Sequence, residues 1–114
     1  MGNVSKLSVY GKAISLADDL RPRILTWESF DRWTLGVQLM RAADSVGANL
    51  AEAFGRETDA DRVRFLVIAR GSATETEYWL ERALPRGLLR DCGLLDRAQE
   101  VCRMLHGLVN SNRP

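Results

Sequence analysis

The pattern of apolar and polar residues along the chain predicts four helices. Apolar residues recur at steps of three and four over four segments, and no stretch alternates strictly as a strand would. The predicted helices cover residues 3–20, 31–54, 59–84 and 91–109. Short connections between the last three favour antiparallel neighbours. We therefore expect an all-α fold, an antiparallel up-and-down four-helix bundle in which residues 1–114 form one domain.

The first helix has one apolar stripe, made of Val4, Leu7, Tyr10, Ile14, Ala17 and Leu20. Pro22 should end this helix, because a proline inside a helix removes a backbone hydrogen bond. Trp27 and Phe30 lie in the connection that follows, which spans roughly ten residues and is long for a join between helices. These two aromatic residues either fold back to plug the end of the bundle, which we favour, or form an exposed contact surface.

The second helix is apolar on two faces. Its core stripe consists of Leu35, Leu39, Ala42, Val46, Leu50 and Ala53. The far side carries Gly36, Val37, Met40, Gly47, Ala51 and Phe54, with Asp44 as its one charge. A domain this small cannot cover both faces from within, so we expect a homo-oligomer. The predicted subunit interface contains Val37, Met40, Gly47, Ala51 and Phe54. Alternatively, the small residues only accommodate bulky side chains of the same chain.

A seam of polar residues lies between these two faces and contains Gln38, Arg41, Ser45, Asn49, Glu52 and Arg56. Asn49 and Glu52 would be costly near apolar surfaces unless they were paired. We predict a structural polar network, within the chain or between subunits, that consists of Arg41, Ser45, Asn49, Glu52, Arg56, Arg70, Ser72 and Glu75. A ligand or nucleic-acid contact and simple exposure are the alternatives.

The third helix has a clear start, because Thr58 is followed three residues later by Asp61, as in an N-cap. Its predicted inward face holds Phe65, Ile68, Ala69, Ser72, Ala73, Thr76, Trp79, Leu80 and Ala83. The hydroxyl of Ser72 is expected to bond the carbonyl of Ile68. In the fourth helix, Asp91 is the predicted cap, and the inward residues are Leu94, Ala98, Val101, Cys102, Leu105 and Leu108.

Composition and charge are those of an ordinary globular protein, with 46% hydrophobic and 27% charged residues and a net charge of +1. This balance does not favour nucleic acid, an acidic partner or a membrane surface, so a basic patch requires clustering. Candidate nucleic-acid contacts flank the third helix and are Arg62, Arg64, Arg82, Arg86 and Arg90. The alternative is that these arginines are spread over solvated faces.

The sequence offers no recognisable active site. A di-iron bundle needs Glu-x-x-His pairs, yet His106 is the one histidine. Cysteine-pair, phosphate-loop and serine-nucleophile motifs are lacking as well, so we expect no enzyme activity, no metal and no cofactor. Cys92 and Cys102 lie about 15 Å apart along one predicted helix and cannot form a disulfide there. Without a signal-peptide pattern or a long apolar run, a cytoplasmic protein with no membrane contact is expected.

Two segments resemble a known family. The stretch "QLMRAADSVGANLAEAFGR" and, after an acidic link, "FLVIARGSATETEYWLERAL" are similar to the 23S rRNA intervening-sequence proteins. The hallmarks of that family correspond here to Arg41, Ala42, Ala43, Ser45, Asn49, Ala51, Glu52, Ala69, Arg70, Gly71, Ser72 and Glu75. Gly47 and Ala53 depart from it, because the family usually has a proline and a glycine near these positions.

The resemblance implies an up-and-down bundle that assembles as a homopentamer. It also implies a distant relationship to the accessory proteins of diversity-generating retroelements, whose basic pentamers bind nucleic acid and a reverse transcriptase. We therefore expect a non-enzymatic accessory protein that associates with RNA or DNA, or with a complex containing a reverse transcriptase or another protein. The alternative is a protein-interaction scaffold that binds no nucleic acid and holds another protein by the region of Trp27, Phe30 and Trp33 or by the rim of the oligomer.

Overall fold

The computed structural model describes residues 7–90 and 93–113, and these residues are helical with no strand. The long helices within them are α1 (Ser8–Ile24), α2 (Val37–Phe54), α3 (Asp59–Ala83) and α4 (Gly93–Asn112). The prediction of an all-α fold with four helices is confirmed. Asp91 and Cys92, and with them the predicted cap of the fourth helix, lie outside the described residues.

The four helices pack in a ring, in which α2 and α4 each contact both α1 and α3. The molecule is elongated, with extents of 45 × 20 × 20 Å. Its core forms two clusters along this length. The first includes Leu20, Trp27, Leu39 and Leu80, and the second includes Leu50, Leu66 and Leu105. We call the part around the first cluster, residues 21–41 and 79–90, the Trp27 end, and residues 52–65 the Thr58 end.

Helix α1 continues through Pro22, which contradicts the prediction that this proline ends it. Pro22 lies in the last turn, where one lost hydrogen bond is tolerated, and the backbone N–H of Leu25 still donates to the carbonyl of Arg21. The core stripe also differs from the prediction, since Ile14 is 39% exposed. The buried residues of α1 are Val9, Ala13, Leu16, Ala17, Leu20 and Ile24.

The connection between α1 and α2 is largely helical. A turn at Ser29–Asp31 leads into a π-helical turn at Arg32–Gly36, which the sequence analysis did not anticipate. Trp27 is buried, and its Nε1 donates to the carbonyl of Leu88 at 3.0 Å, so it plugs the bundle end as predicted. Phe30 does not, because it is 77% exposed. Trp27 therefore joins the α1–α2 connection to the α3–α4 connection.

The core stripe of α2 is confirmed, because all six of its predicted residues are buried. Helix α3 begins as predicted, with the N–H of Asp61 donating to Thr58 Oγ1 at 3.1 Å. On the inward face of α3, however, Ile68 is 41% exposed and Leu66 is fully buried in its place. Helix α4 continues to Asn112, three residues beyond its predicted end at Val109.

Candidate functional site

The centre of the predicted polar network is a contact between α2 and α3. The hydroxyl oxygens of Ser45 and Ser72 lie 2.8 Å apart, and Asn49 Nδ2 donates to both the carbonyl and the hydroxyl of Ser45. The predicted hydrogen bond from Ser72 to the carbonyl of Ile68 is therefore not formed. The hydroxyl of Ser72 instead contacts the hydroxyl of Ser45, which lies within reach on α2. All three side chains belong to one chain, so this part of the network is intramolecular.

The other members of the predicted network lie apart from this contact. Glu52 and Arg56 form an exposed ion pair at 3.3 Å. Glu75 accepts a hydrogen bond from Trp79 Nε1 at 3.2 Å. Arg41 is exposed and Arg70 is half-buried, and neither has a hydrogen bond or ion pair among residues 7–90 and 93–113. The predicted set is thus divided into separate local contacts.

The far face of α2 is partly covered by α1. A Cβ added at Gly47 would lie 2.7 Å from Ile14 Cδ1, so the close approach at this glycine comes from the same chain. This finding corrects the placement of Gly47 in a subunit interface. Ala51 is exposed, and Phe54 is half-buried against the second core cluster.

Val37 and Met40, the remaining residues of that predicted interface, are half-buried. They line an open groove of about 550 Å³ between α1 and the start of α2, together with Arg21, Ile24, Leu25, Arg32, Trp33, Gly36, Arg41 and Asp44. Ala51, Val37 and Met40 therefore remain accessible to another molecule.

At the Thr58 end, each arginine has a carboxylate partner. Arg62 Nη1 lies 2.6 Å from Asp59 Oδ1, and Arg64 Nε lies 3.7 Å from Asp61 Oδ1. Arg62 is only 9% exposed, which contradicts its prediction as a nucleic-acid contact. The guanidinium of Arg64 lies over the ring of Phe65, 4.5 Å from its centroid. Positive charge at this end is largely compensated.

At the Trp27 end, the arginines have no such partners. Arg82, Arg86 and Arg90 are exposed and form no ion pair with any described residue. The arginines of the first segment of this end form no ion pair with a described residue either; Arg21, Arg23 and Arg41 are exposed, and Arg32 is half-buried. Residues 21–41 and 79–90 contain few carboxylates, namely Glu28, Asp31 and Glu81. Positive charge is therefore concentrated at the Trp27 end.

The five predicted nucleic-acid contacts do not form one patch. Arg62 and Arg82 lie about 30 Å apart along α3, at about 1.5 Å per residue. Arg82, Arg86 and Arg90 instead lie near arginines that the sequence analysis did not select, because Trp27 joins the two connections. One groove, for example, is lined by Arg23, Thr26 and Arg90. Sequence spacing alone could not reveal this tertiary cluster.

A third open groove at the Trp27 end, of about 800 Å³, combines aromatic rings with arginines. We call it the aromatic groove; its lining residues are Phe30, Asp31, Trp33, Thr34, Leu35, Val37, Gln38, Arg41, Trp79 and Arg86. Phe30 and Trp33 are 77% and 69% exposed. The segment "SFDRW" indicated such a surface, since two large aromatic residues flank charged ones. The sequence pattern did not reveal which aromatic rings were buried and which were exposed.

A buried thiol lies between α3 and α4. Cys102 Sγ donates to Glu77 Oε1 at 3.6 Å, and Gln99 Nε2 donates to Glu77 Oε2 at 3.3 Å. Burial is the main cause that raises the pKa of Cys102 to about 11, and the negative charge and hydrogen bond of Glu77 contribute to this rise. A neutral thiol is a poor nucleophile, so this cluster is a packing contact.

The described residues contain no group of three or more histidine, cysteine or acidic side chains placed to hold a metal ion. His106 is exposed. Among the described helices, none combines the length and apolarity needed to cross a bilayer.

Comparisons with known proteins give a family and a fold. A family model described as "23S rRNA-intervening sequence protein" matches residues 5–107. A solved structure from Bacteroides thetaiotaomicron VPI-5482, a protein with unknown function from the S23 ribosomal protein family, aligns with a TM-score of 0.80. It is 24% identical, and the alignment covers 90% of this chain and 95% of the other. No match was found among curated proteins.

Proposed function

The chain belongs to the 23S rRNA-intervening sequence protein family, and on this premise we propose that it is a non-enzymatic, oligomeric accessory protein that associates with nucleic acid. The ligand class is structured RNA, or an RNA- or DNA-processing complex such as one with a reverse transcriptase. The family assignment confirms the resemblance found in the sequence. The association with nucleic acid is inferred from the distribution of charge, and the assembly from the exposed faces of α2. A cytoplasmic location is part of the same proposal.

Separation of charge is the observation that carries the proposal. The net charge of +1 alone would give little attraction to phosphate. However, Arg56, Arg62 and Arg64 are neutralised by carboxylates at the Thr58 end, whereas the arginines of the Trp27 end are not. Unpaired arginines on one end of an elongated molecule give the local positive potential that phosphate binding requires.

An antiparallel order of the four helices accounts for this separation. The ion pairs between α1 and α4 run in opposite directions along the two helices, since Lys12 pairs with Glu100 at 3.2 Å and the later Asp19 pairs with the earlier Arg97 at 2.9 Å. The first core cluster likewise combines the start of α2 with the end of α3. In an up-and-down bundle, the α1–α2 and α3–α4 connections meet at one end and bring their arginines together.

Assembly as a homopentamer would multiply this weak patch, because several copies held together bind a polyanion more tightly than one. The exposed Ala51 and the half-buried Val37, Met40 and Phe54 support a subunit contact on the far face of α2. The apolar groove beside Val37 and Met40 is consistent with the same contact.

The experiment that tests the proposal measures binding of a structured RNA by mobility shift over a salt series. Replacing Arg82 and Arg90 together by glutamate should weaken binding more than tenfold, since two phosphate contacts become repulsive. The matched control reverses Arg103 and Arg113, which are exposed and lie outside the Trp27 end. An RNA affinity that is the same at all salt concentrations and is unaffected by the Arg82 and Arg90 substitutions would contradict the proposal.

A protein-interaction scaffold is the second candidate, and the exposure of Phe30 and Trp33 favours it. Two large aromatic side chains in water are typical of protein contact surfaces as well. A pull-down with purified reverse transcriptase, compared between the native chain and a Phe30→Ala variant, tests this role. Capture of the protein without any nucleic-acid binding would select the scaffold over the first candidate.

A further inference from the structure

The aromatic groove brings together three large aromatic side chains and two arginines without ion-pair partners. Phe30 and Trp33 project from the turns before α2, and Trp79, Arg86 and Arg41 complete the groove from α3, the α3–α4 connection and α2. Resting on the proposed function, we propose that this groove binds unpaired bases of a single-stranded nucleic acid. The rings would stack on the bases, and the guanidinium groups would contact the phosphates.

The aromatic residues are placed to receive a planar group. Phe30 and Trp33 leave most of their surface in water, so they contribute little to the stability of the fold. The indole of Trp79 is fixed by its hydrogen bond to Glu75 and by an edge contact with Tyr78, whose ring centroid lies 4.8 Å away. A ring held in place in this way loses little freedom when a base stacks on it.

The charges of the groove favour phosphate over an apolar partner. Arg41 and Arg86 line it, neither is paired with a described carboxylate, and Asp31 is the single acidic residue in the lining. Covering these guanidinium groups with an apolar surface would leave buried charges without partners, which is unfavourable. In a nucleic acid, the phosphates supply the missing negative charge and the bases supply planar faces that can stack on the rings.

An unpaired strand fits this groove better than a duplex. In a duplex, the faces of the bases are stacked on each other and cannot reach protein rings, whereas single strands present them. Phe30 and Trp33 also lie on the flank of a π-helical turn and within it, at Arg32–Gly36, and such turns occur frequently at functional sites. The hydrogen bond from Thr34 Oγ1 to the carbonyl of Phe30, at 2.7 Å, holds the local backbone.

The test compares a fluorescently labelled oligouridylate with an RNA duplex of the same length, using anisotropy at low salt and the full chain. Trp33→Ala should weaken oligouridylate binding about tenfold, because stacking of one base is lost, and should leave duplex binding unchanged. Trp33→Phe should recover most of the loss. Ile68→Ala is the matched control, since Ile68 is an exposed apolar residue of α3 outside the groove.

Light scattering of each variant distinguishes this site from a subunit contact. The proposal requires that Trp33→Ala keeps the mass of the native assembly while losing oligouridylate affinity. It is overturned if the variant dissociates, if both probes lose affinity equally, or if neither probe does. Native protein that binds the duplex alone would overturn this inference and leave the proposed function standing. Native protein that binds neither probe would overturn both.

Discussion

The hydroxyl oxygens of Ser45 and Ser72 lie 2.8 Å apart and join α2 to α3 at the middle of the bundle. Because Asn49 Nδ2 donates to Ser45 Oγ, the Ser45 hydroxyl can donate its own proton to Ser72. Two small hydroxyl residues thus allow two helices to approach closely and still satisfy their polar atoms. The contact explains why a helix with an apolar core stripe carries serine and asparagine beside it.

Ser72→Ala should lower the free energy of unfolding by about 1 kcal/mol, since one interhelical hydrogen bond is lost. Ser45→Ala should cost at least as much, because Asn49 loses a partner too. The double variant should cost less than the sum of the two, with a coupling of about 0.5 kcal/mol or more in urea unfolding. Ser111→Ala, in which an exposed local bond is lost, is the control. Strict additivity would show that the two hydroxyls do not interact.

Gly36, at the end of the π-helical turn, and Gly71, in α3, should respond differently to alanine. At Gly36, a Cβ would lie 2.8 Å from Cγ2 of the buried Ile24, so Gly36→Ala should destabilise the fold by about 1–3 kcal/mol. Gly71 has open space, and Gly71→Ala should stabilise by about 0.5–1 kcal/mol through helix propensity. Thermal unfolding measures both. Equal effects at the two sites would contradict the packing described.

Gly47 is the intermediate case among these glycines. The atom that its Cβ would meet, Ile14 Cδ1, is the end of a side chain that is 39% exposed and can move aside. The gain in helix propensity of about 1 kcal/mol should offset most of this adjustment, so Gly47→Ala should change stability little. The Ile14→Ala substitution removes the clash. In that variant, Gly47→Ala should therefore increase the free energy of unfolding. Urea unfolding of the four chains gives the comparison.

Stability should depend on pH through Cys102 in the alkaline range. The folded thiol keeps its proton up to about pH 11, whereas an unfolded thiol titrates near 9.0. Between these values the unfolded state loses its proton and is favoured, so stability falls as pH rises from 9.0 to 11, by roughly 2 kcal/mol. The free energy of unfolding, measured by urea at several pH values in this range, should decrease with pH. The Cys102→Ser variant should lack this decrease, and an unchanged decrease there would contradict the assignment.

The rate of alkylation gives a second measurement of the ionisation of the Cys102 thiol. In a Cys92→Ser background, iodoacetamide should react with Cys102 slowly at pH 9.0 and faster as the thiol ionises near 11. Glu77→Gln should shift this profile to lower pH, because the carboxylate charge beside the thiol is removed.

Ala51→Glu tests the proposed subunit contact without disturbing the single chain. Ala51 is exposed on α2, so a glutamate there should leave the helical content unchanged. In an assembly that buries this face, the new charge is desolvated and the mass by light scattering should fall. Ala60→Glu, at an exposed position of the first turn of α3, should keep the native mass. A native assembly that tolerates Ala51→Glu would place the contact on another face.

The elements with a clear periodicity were predictable from the sequence, and those with adjacent apolar residues were not. The stripe of α2 is correct because, apart from Val37 and Met40, small or polar residues separate its members. On α3, the run "FLVI" at residues 65–68 is apolar throughout, so periodicity could not choose Leu66 over Ile68. The same ambiguity between Ala13 and Ile14 rotated the predicted stripe of α1.

The candidate site was less predictable because it depends on tertiary placement. Thr58 and Asp61 form a local motif, and their contact followed from spacing alone. In contrast, the burial of Arg62 and its pairing with Asp59 depend on how α3 packs. The joining of Arg23 with Arg90 and of Trp33 with Arg86 depends on how the two connections pack, as in the bond from Trp27 to Leu88, which the sequence patterns did not show.

The π-helical turn at Arg32–Gly36 makes the spacing of this segment as important as its composition. A turn of this kind accommodates one residue more than an α-helical turn of the same rise. If the same residues wound as uninterrupted α-helix, everything before the turn would rotate by about 100° relative to α2, which is the rotation of the one extra residue. Phe30 would then face another side of the bundle with no side chain replaced. Winding of this turn as π-helix or as α-helix would therefore be a means of redirecting what the surface recognises.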